Sequence, residues 1–136
     1  MSKMSKKCKR NRRGFTLIEM VIVIAMMLVL LSIALPMYNK AILRAKEAKL
    51  HQNLVTLNQA IENYSLDKKH APQSLEDLVP AYIKFIPDDI TGSNTWVTEQ
   101  EDPQDAYDPN QTGIGWVHSG SKEIATDGTE YSTWTH

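Results

Sequence analysis

The sequence predicts an α+β protein: one long N-terminal helix followed by a small domain with an antiparallel sheet of three strands. Three observations support this fold class. Residues 15–35 are mostly apolar and carry one charge, Glu19. An apolar stripe with helical spacing follows them, and short β-rich segments separated by turn residues fill the last third. We therefore expect four segments: a leader at 1–14, a transmembrane helix at 15–36, an amphipathic continuation of the helix at 37–70 and an α/β head at 71–136.

The first part of the chain differs sharply in charge from the rest. The 136 residues carry a net charge of −1, but residues 1–14 contain seven Lys or Arg and no acid. A basic arm beside an apolar segment marks the cytoplasmic end of a membrane span more often than a nucleic-acid site. Four further cations after the span, Lys40 to Lys49, weaken that orientation signal. The single cysteine, Cys8, lies in the leader, so no internal disulfide can form.

The apolar segment is long enough to cross a bilayer as a helix, since roughly 20 residues suffice. Its one charge, Glu19, is unusual, because an acid at the centre of a span costs about 2.5–3.5 kcal/mol and less towards the edge. Such a residue is a functional hypothesis with a partner to be found. Ser32-Ile33-Ala34 offers an alternative, a signal-peptidase site that would release a soluble domain, but Glu19 and the length of the apolar region count against it.

The start of this segment resembles a processing signal. The residues Gly14-Phe15-Thr16-Leu17-Ile18-Glu19, after a basic leader and before an unbroken apolar helix, look like the class III signal of type IV pilins and type II secretion pseudopilins. The resemblance implies cleavage between Gly14 and Phe15 by a prepilin peptidase and N-methylation of Phe15. It implies that Glu19 pairs with the methylated amine of Phe15 on a neighbouring copy, and that Pro36 is the helix-kinking proline of this family.

The same resemblance implies a structural role and no enzymatic activity. We expect a pseudopilin that polymerises into a periplasmic filament and drives protein export by a type II secretion system. It would cross the bacterial inner membrane once, with its N-terminus cytoplasmic and its head periplasmic. Its implied partners are copies of itself, the prepilin peptidase, an inner-membrane assembly platform and minor pseudopilins, but no nucleic acid. Two alternatives stay open: a type IV pilus subunit for adhesion, motility or DNA uptake, and a membrane-anchored or secreted binding domain.

Beyond the span, apolar residues recur at spacings of three, four and seven, which predicts one buried face on a continuing helix. Pro36 removes one backbone hydrogen bond and is expected to kink this helix. We expect the helix to end between residues 66 and 70, before the breaker Ala71-Pro72. The members of the stripe are Leu43, Leu50, Leu54, Leu57, Ile61 and Tyr64.

The head is predicted to combine a short helix with three strands. Ser74 to Asp77 has the form of a capping box and predicts a short helix through Leu78 or Val79. We expect six apolar side chains to pack on the long helix: Leu75, Leu78, Val79, Tyr82, Phe85 and Ile86. The β-rich segments are Thr95 to Glu99, Gly115 to His118 and Glu130 to Trp134. This layout resembles the major pseudopilin of type II secretion.

The turn-rich part of the head is acidic, and it offers the one candidate cofactor site, for a structural Ca²⁺. Carboxylate oxygens in flexible loops suit Ca²⁺, and the resemblance implies a calcium in this region. The alternative is a solvated acidic loop. No H-E-x-x-H spacing, nucleophile arrangement or phosphate loop is present. The candidate ligands are Asp102, Asp105, Asp108 and Asp127.

Overall fold

The computed structural model describes Gly14, residues 16–92 and residues 95–135. The described elements are helix α1 (Leu17–Lys68), a 3₁₀-helix (Leu75–Leu78), strands β1 (Trp96–Gln100) and β2 (Ile114–Ser119), and a second 3₁₀-helix (Tyr131–Thr133). The chain divides into two compact units, Met1–Asn39 and Lys40–His136. We call the second the head unit, and most of the core lies there.

Helix α1 ends where the sequence predicts. Its last residue is Lys68, and Lys69 follows with a positive φ of 62°, the left-handed conformation that commonly terminates helices. The amide of Lys69 still donates to the carbonyl of Ser65 at 2.9 Å. Ala71-Pro72 then prevents any continuation, because proline disfavours helical geometry in the residue before it.

The apolar stripe of α1 forms the centre of the head unit. The prediction is confirmed from Leu50 to Ile61, where all four stripe residues are buried. It is wrong for Leu43, which stays 37% exposed. The buried cluster also takes residues from both 3₁₀-helices, from strand β2 and from two connecting segments. Its members are Leu50, Leu54, Leu57, Ala60, Ile61, Leu78, Ile83, Ile114, Val117, Ala125 and Tyr131.

The short helix after α1 is confirmed as a single 3₁₀ turn. The carboxylate of Asp77 accepts from the amide of Ser74 at 3.0 Å, which is the expected half of the capping box contributed by the acid. Five of the six apolar side chains predicted to pack on α1 belong to the core or its margin. Phe85 is the exception: it is 71% exposed, so that prediction is wrong for it.

The sheet has two strands among the described residues, not the three predicted. Strands β1 and β2 are antiparallel, with Trp96 opposite Ser119 and Thr98 opposite Val117. A register shift between Glu99 and Gln100 ends the regular pairing. The two strands bury one face only, since Val117 is fully buried whereas Trp116 beside it is 43% exposed.

The third predicted strand is replaced by a 3₁₀-helix at Tyr131–Thr133. Only an isolated bridge between Ile124 and Glu130 remains of the expected pairing. The physical reason lies in the spacing of two aromatic rings. Residues three apart in a strand point to opposite faces, but in a 3₁₀-helix they lie above one another. The helical turn thus brings the rings of Tyr131 and Trp134 together, with centroids 5.3 Å apart.

Candidate functional site

The predicted processing motif lies at the start of α1. Gly14 is exposed, and a Cβ added there would meet no atom within 4 Å. Its φ also lies outside the left-handed region that favours glycine. Among the described residues, the fold therefore sets no demand for glycine at this position, and its role at the cleavage site stays a prediction. Phe15, the predicted new N-terminus, and leader residues 1–13 lie outside the described residues.

Glu19 has a partner in its own chain that the sequence reasoning missed. Its Oε2 accepts from the amide of Thr16 at 2.8 Å, and its own amide donates to Thr16 Oγ1 at 3.3 Å. These reciprocal bonds form a capping box, which satisfies two of the free donors at a helix start. The T-x-x-E spacing was the signal that could have revealed it. The same four residues thus begin the helix and carry the predicted assembly acid.

The apolar side chains in the first half of α1 are exposed in the described chain. One described helix is long and apolar enough to cross a membrane, with a mean hydropathy of 2.8 over its best 18-residue window and none of that window buried. The large apolar side chains between Leu17 and Leu35 are all exposed. In water such a surface would be costly, at about 25 cal/mol per Å². Lipid or other apolar helices are the surroundings that suit it.

Polar groups inside the span are few, and one is satisfied locally. The hydroxyl of Ser32 donates to the carbonyl of Val29 at 2.7 Å, which removes an unpaired donor from an apolar stretch. Ser32 and Ala34, the alternative signal-peptidase site, both lie within α1. Pro36 also lies inside the helix, which continues through it. Its kink stays a prediction.

A buried acid of α1 holds the C-terminal part of the head unit to this helix, and the sequence analysis did not single it out. Glu47 is 8% exposed, and its carboxylate accepts from Thr126 N at 2.7 Å, Thr126 Oγ1 at 2.6 Å and Tyr131 OH at 3.0 Å. Burial alone would raise the pKa of Glu47, but the hydrogen bonds from Thr126 and Tyr131 outweigh it and lower that pKa. Burial and the bond to Glu47 raise the pKa of Tyr131 to about 12.

A second polar residue of α1 docks strand β2. The side chain of Asn58 accepts from the amide of Val117 at 2.9 Å and donates to its carbonyl at 3.3 Å. The side-chain amide of Asn58 thereby makes the two hydrogen bonds to Val117 that a neighbouring strand would otherwise make. Sequence reasoning missed Asn58, because the sequence alone does not distinguish an asparagine that binds a strand from one that faces solvent.

A second buried acid, Asp89, fixes the segment before β1. It is nearly inaccessible, and its carboxylate accepts from Thr95 Oγ1 at 2.7 Å and from Ser119 Oγ at 2.9 Å. The amide of Ile90 adds a bond of 2.6 Å. Among the described residues these contacts are donors to the carboxylate, so they stabilise its charge structurally.

Three of the four candidate calcium ligands accept hydrogen bonds within local turns. Asp102 and Asp108 accept from the backbone amides two residues further on, each at 2.9 Å. Asp127 accepts from the amide and hydroxyl of Thr129, which lower its pKa. Within the described part of the chain, no three His, Cys, Asp or Glu side chains come together as a metal site. The calcium site stays a prediction, and thermal melting with and without EDTA tests it.

Comparison with known proteins gives one match at the motif and others over much of the chain. Residues 9–35 match the family described as the prokaryotic N-terminal methylation motif. The chain is 36% identical over 117 residues to type II secretion system core protein G of Escherichia coli K12, covering 72% of this chain and 79% of the relative. It is 35% identical over 104 residues to core protein G of Klebsiella pneumoniae, covering 62% of this chain and 73% of the relative.

A shorter match reaches a different class of filament protein. The type IV major fimbrial protein FimA of Dichelobacter nodosus is 38% identical over 63 residues. This match covers 46% of the chain and 40% of the relative, so it leaves more than half of each unmatched. No solved structure gave a significant match.

Proposed function

Because the chain belongs to the family of type II secretion system core protein G, we propose that it is cut between Gly14 and Phe15 and assembles through its apolar helix. The family gives it a pseudopilin role. Members of this family are structural subunits. The observation that carries the proposal is the exposed apolar face from Leu17 to Leu35, directly after the methylation motif.

The exposed face explains how one chain can occupy two environments. Before assembly, the apolar helix is covered by the lipid of the bacterial inner membrane. In the filament it is covered by the same helices of neighbouring copies. Lipid tails and apolar side chains are similar surroundings, so the transfer depends on packing and on polar contacts rather than on a hydrophobic gain. Extraction by an inner-membrane assembly platform, with minor pseudopilins as further partners, is thus feasible for this helix.

Glu19 is the polar contact that we propose for this transfer. In the described chain it accepts from Thr16. After cleavage, the methylated amine of Phe15 on a neighbouring copy becomes a positively charged partner. Two opposite charges in a low-dielectric core attract strongly, whereas one alone is costly. The pair therefore favours one fixed stagger between neighbouring helices.

Mass spectrometry of the mature N-terminus is the first test of this function. We expect a chain that begins with N-methylated Phe15. A chain that keeps residues 1–14 would contradict processing. A chain that starts at Leu35 would identify a secreted soluble domain instead.

Substitution of Glu19 separates its charge from its capping role. Glu19→Gln keeps a side-chain acceptor for Thr16 but removes the charge, and Glu19→Ala removes both. We expect both variants to be inserted and cleaved but to fail in filament assembly. Glu62→Gln, an exposed glutamate of the same helix, is the matched control. Normal filaments from Glu19→Gln would show that the charge is not needed.

The second candidate function is a subunit of a type IV pilus, which the partial match to FimA favours. Deleting the gene distinguishes the two. If the protein acts in secretion, we expect the deletion strain to lose export of folded proteins and to keep its surface pili. The reverse outcome would favour the pilus role.

A further inference from the structure

Four exposed cations lie in the first turns of α1 within the head unit. We call this set, Lys40, Arg44, Lys46 and Lys49, the basic collar. Within the described part of the chain, none of the four forms an ion pair or a side-chain hydrogen bond. Four unpaired cations on about ten residues of helix give this part of α1 a positive potential that attracts an anionic partner.

The acids near the collar do not neutralise it. Glu47 is the only acid between residues 37 and 61, and its buried carboxylate is bound to Thr126 and Tyr131. Asp88 and Asp127 line hollows beside the collar, but neither reaches a cation within ion-pair distance in the described residues. The collar is therefore free to bind an external acid.

The head unit carries a complementary anionic surface of its own. Residues 99–108, which we call the acidic loop, contain five carboxylates and no Lys or Arg. Asp102 and Asp105 are exposed. Glu99 contacts His118 at 3.2 Å, and no other carboxylate of the loop is in an ion pair within the described chain. Most of this negative charge is likewise uncompensated.

Collar and acidic loop lie at opposite ends of α1 within the head unit. The ring of Tyr107 lies 5.4 Å from the Nζ of Lys69, just past the end of the helix. Gln73 Nε2 also donates to the carbonyl of Thr112, four residues after the loop, at 3.0 Å. Lys69 is twenty residues beyond Lys49, and twenty helical residues span about 30 Å. The collar cannot reach the acidic loop of its own chain.

From this geometry we propose that the basic collar of one copy binds the acidic loop of a second copy. A contact between opposite ends of identical molecules is heterologous and adds copies in an open series, as a filament requires. Charge complementarity of this kind fixes register and excludes wrong alignments. The proposal rests on the assembly role proposed above and names a contact of the heads that is separate from the Glu19 pair.

Charge reversal in both partners tests the contact. K46E/K49E and D102K/D105K should each lower filament yield by at least about tenfold, because like charges then face one another. The four substitutions combined restore opposite charges and should return the yield to within about threefold of the unchanged protein. K84E/K122E reverses two exposed lysines outside the collar and is the matched control. Circular dichroism of each variant shows that the head remains folded.

Cross-linking gives a second readout that does not depend on yield. The mature chain proposed above has no cysteine, and C8S removes the thiol of the leader. In K49C/D105C the two thiols of one copy are too far apart for a disulfide, which needs Cα atoms within about 7 Å. We expect oxidation of assembled filaments to give a ladder of dimers, trimers and larger species. K49C/K122C should give none.

The outcomes separate this inference from the proposed function. Loss of assembly in K46E/K49E without rescue by D102K/D105K would overturn the contact and point instead to anionic lipid headgroups as the partner of the collar. Full assembly of K46E/K49E, or no ladder from K49C/D105C filaments, would also overturn it while leaving the assembly role intact. If the unchanged protein is neither processed at Phe15 nor assembled, the proposed function itself fails and the contact with it.

Discussion

The anchoring of the head to α1 by Glu47 makes a quantitative prediction. In Glu47→Ala, three hydrogen bonds to a carboxylate are lost, and the hydroxyl of the buried Tyr131 is left without its acceptor. Hydrogen bonds to charged groups contribute about 1.5–3 kcal/mol each, but bonds to one carboxylate are not additive. We expect the free energy of unfolding of the head to fall by about 3–5 kcal/mol.

Two smaller changes divide this effect. Tyr131→Phe removes one bond and keeps the ring packed, so we expect a loss of about 1–2 kcal/mol. Glu47→Gln keeps the shape of the side chain but places an amide group where Thr126 donates hydrogen bonds. Its loss in the free energy of unfolding should lie between those of Tyr131→Phe and Glu47→Ala. A double-mutant cycle between Glu47 and Tyr131 isolates their coupling.

Urea unfolding of the full mature chain in detergent measures these values. The fluorescence of Trp134 is a suitable probe, because its ring is 5.3 Å from that of Tyr131. Glu62→Ala, an exposed acid on the same helix, is the control and should change the unfolding free energy by less than about 0.5 kcal/mol. A Glu47→Ala variant as stable as that control would refute the anchoring role.

The lowered pKa of Glu47 adds a dependence on pH. Because the folded-state pKa lies below the ordinary value of 4.5, the unfolded chain binds a proton first as the pH falls. The stabilisation is therefore complete above pH 4.5 and is lost as the pH drops through the folded-state pKa. Glu47→Gln has no such proton to bind, so its stability should lack this component. Equal slopes for both proteins below pH 4.5 would contradict the assignment.

Two further predictions concern the docking of β2. Asn58→Ala leaves both the amide and the carbonyl of Val117 without partners, and should destabilise the head by about 1–3 kcal/mol in urea unfolding. Gly113→Ala places a Cβ 2.5 Å from the carbonyl oxygen of Pro72, so the loop must shift and thermal melting should occur several degrees lower, for a cost of about 1–3 kcal/mol. An unchanged melting temperature for Gly113→Ala would show that this loop moves at no cost.

The parts of the fold that depend on local periodicity could be predicted from the sequence. The stripe from Leu50 to Ile61 repeats every three or four residues, so its burial needs no knowledge of the partner surface. The same is true of the apolar span and of the cap at Ser74, whose signals lie within a few residues. Each of these elements is therefore determined by residues close to it in the sequence.

The remaining features depend on contacts between distant residues. Glu47 is bound by Thr126, 79 residues further on, and nothing near Glu47 distinguishes it from a solvated helix acid. The third predicted strand failed for the same reason. Its β-rich composition is genuine, but a buried Tyr131 must reach Glu47 while Trp134 packs beside it, and a 3₁₀ turn achieves this where a strand cannot. In this segment, tertiary contacts therefore override the strand propensity of the residues.

The capping box at Thr16 changes what Glu19 can contribute to assembly. Its carboxylate is not without a partner in the separate chain, since it accepts from the amide of Thr16 at 2.8 Å. In the proposed filament, the amine of a neighbour therefore meets a carboxylate that already accepts one hydrogen bond, and the gain is smaller than for an isolated acid. Glu19 then selects the stagger between helices, while packing of the exposed face from Leu17 to Leu35 must supply most of the free energy of assembly.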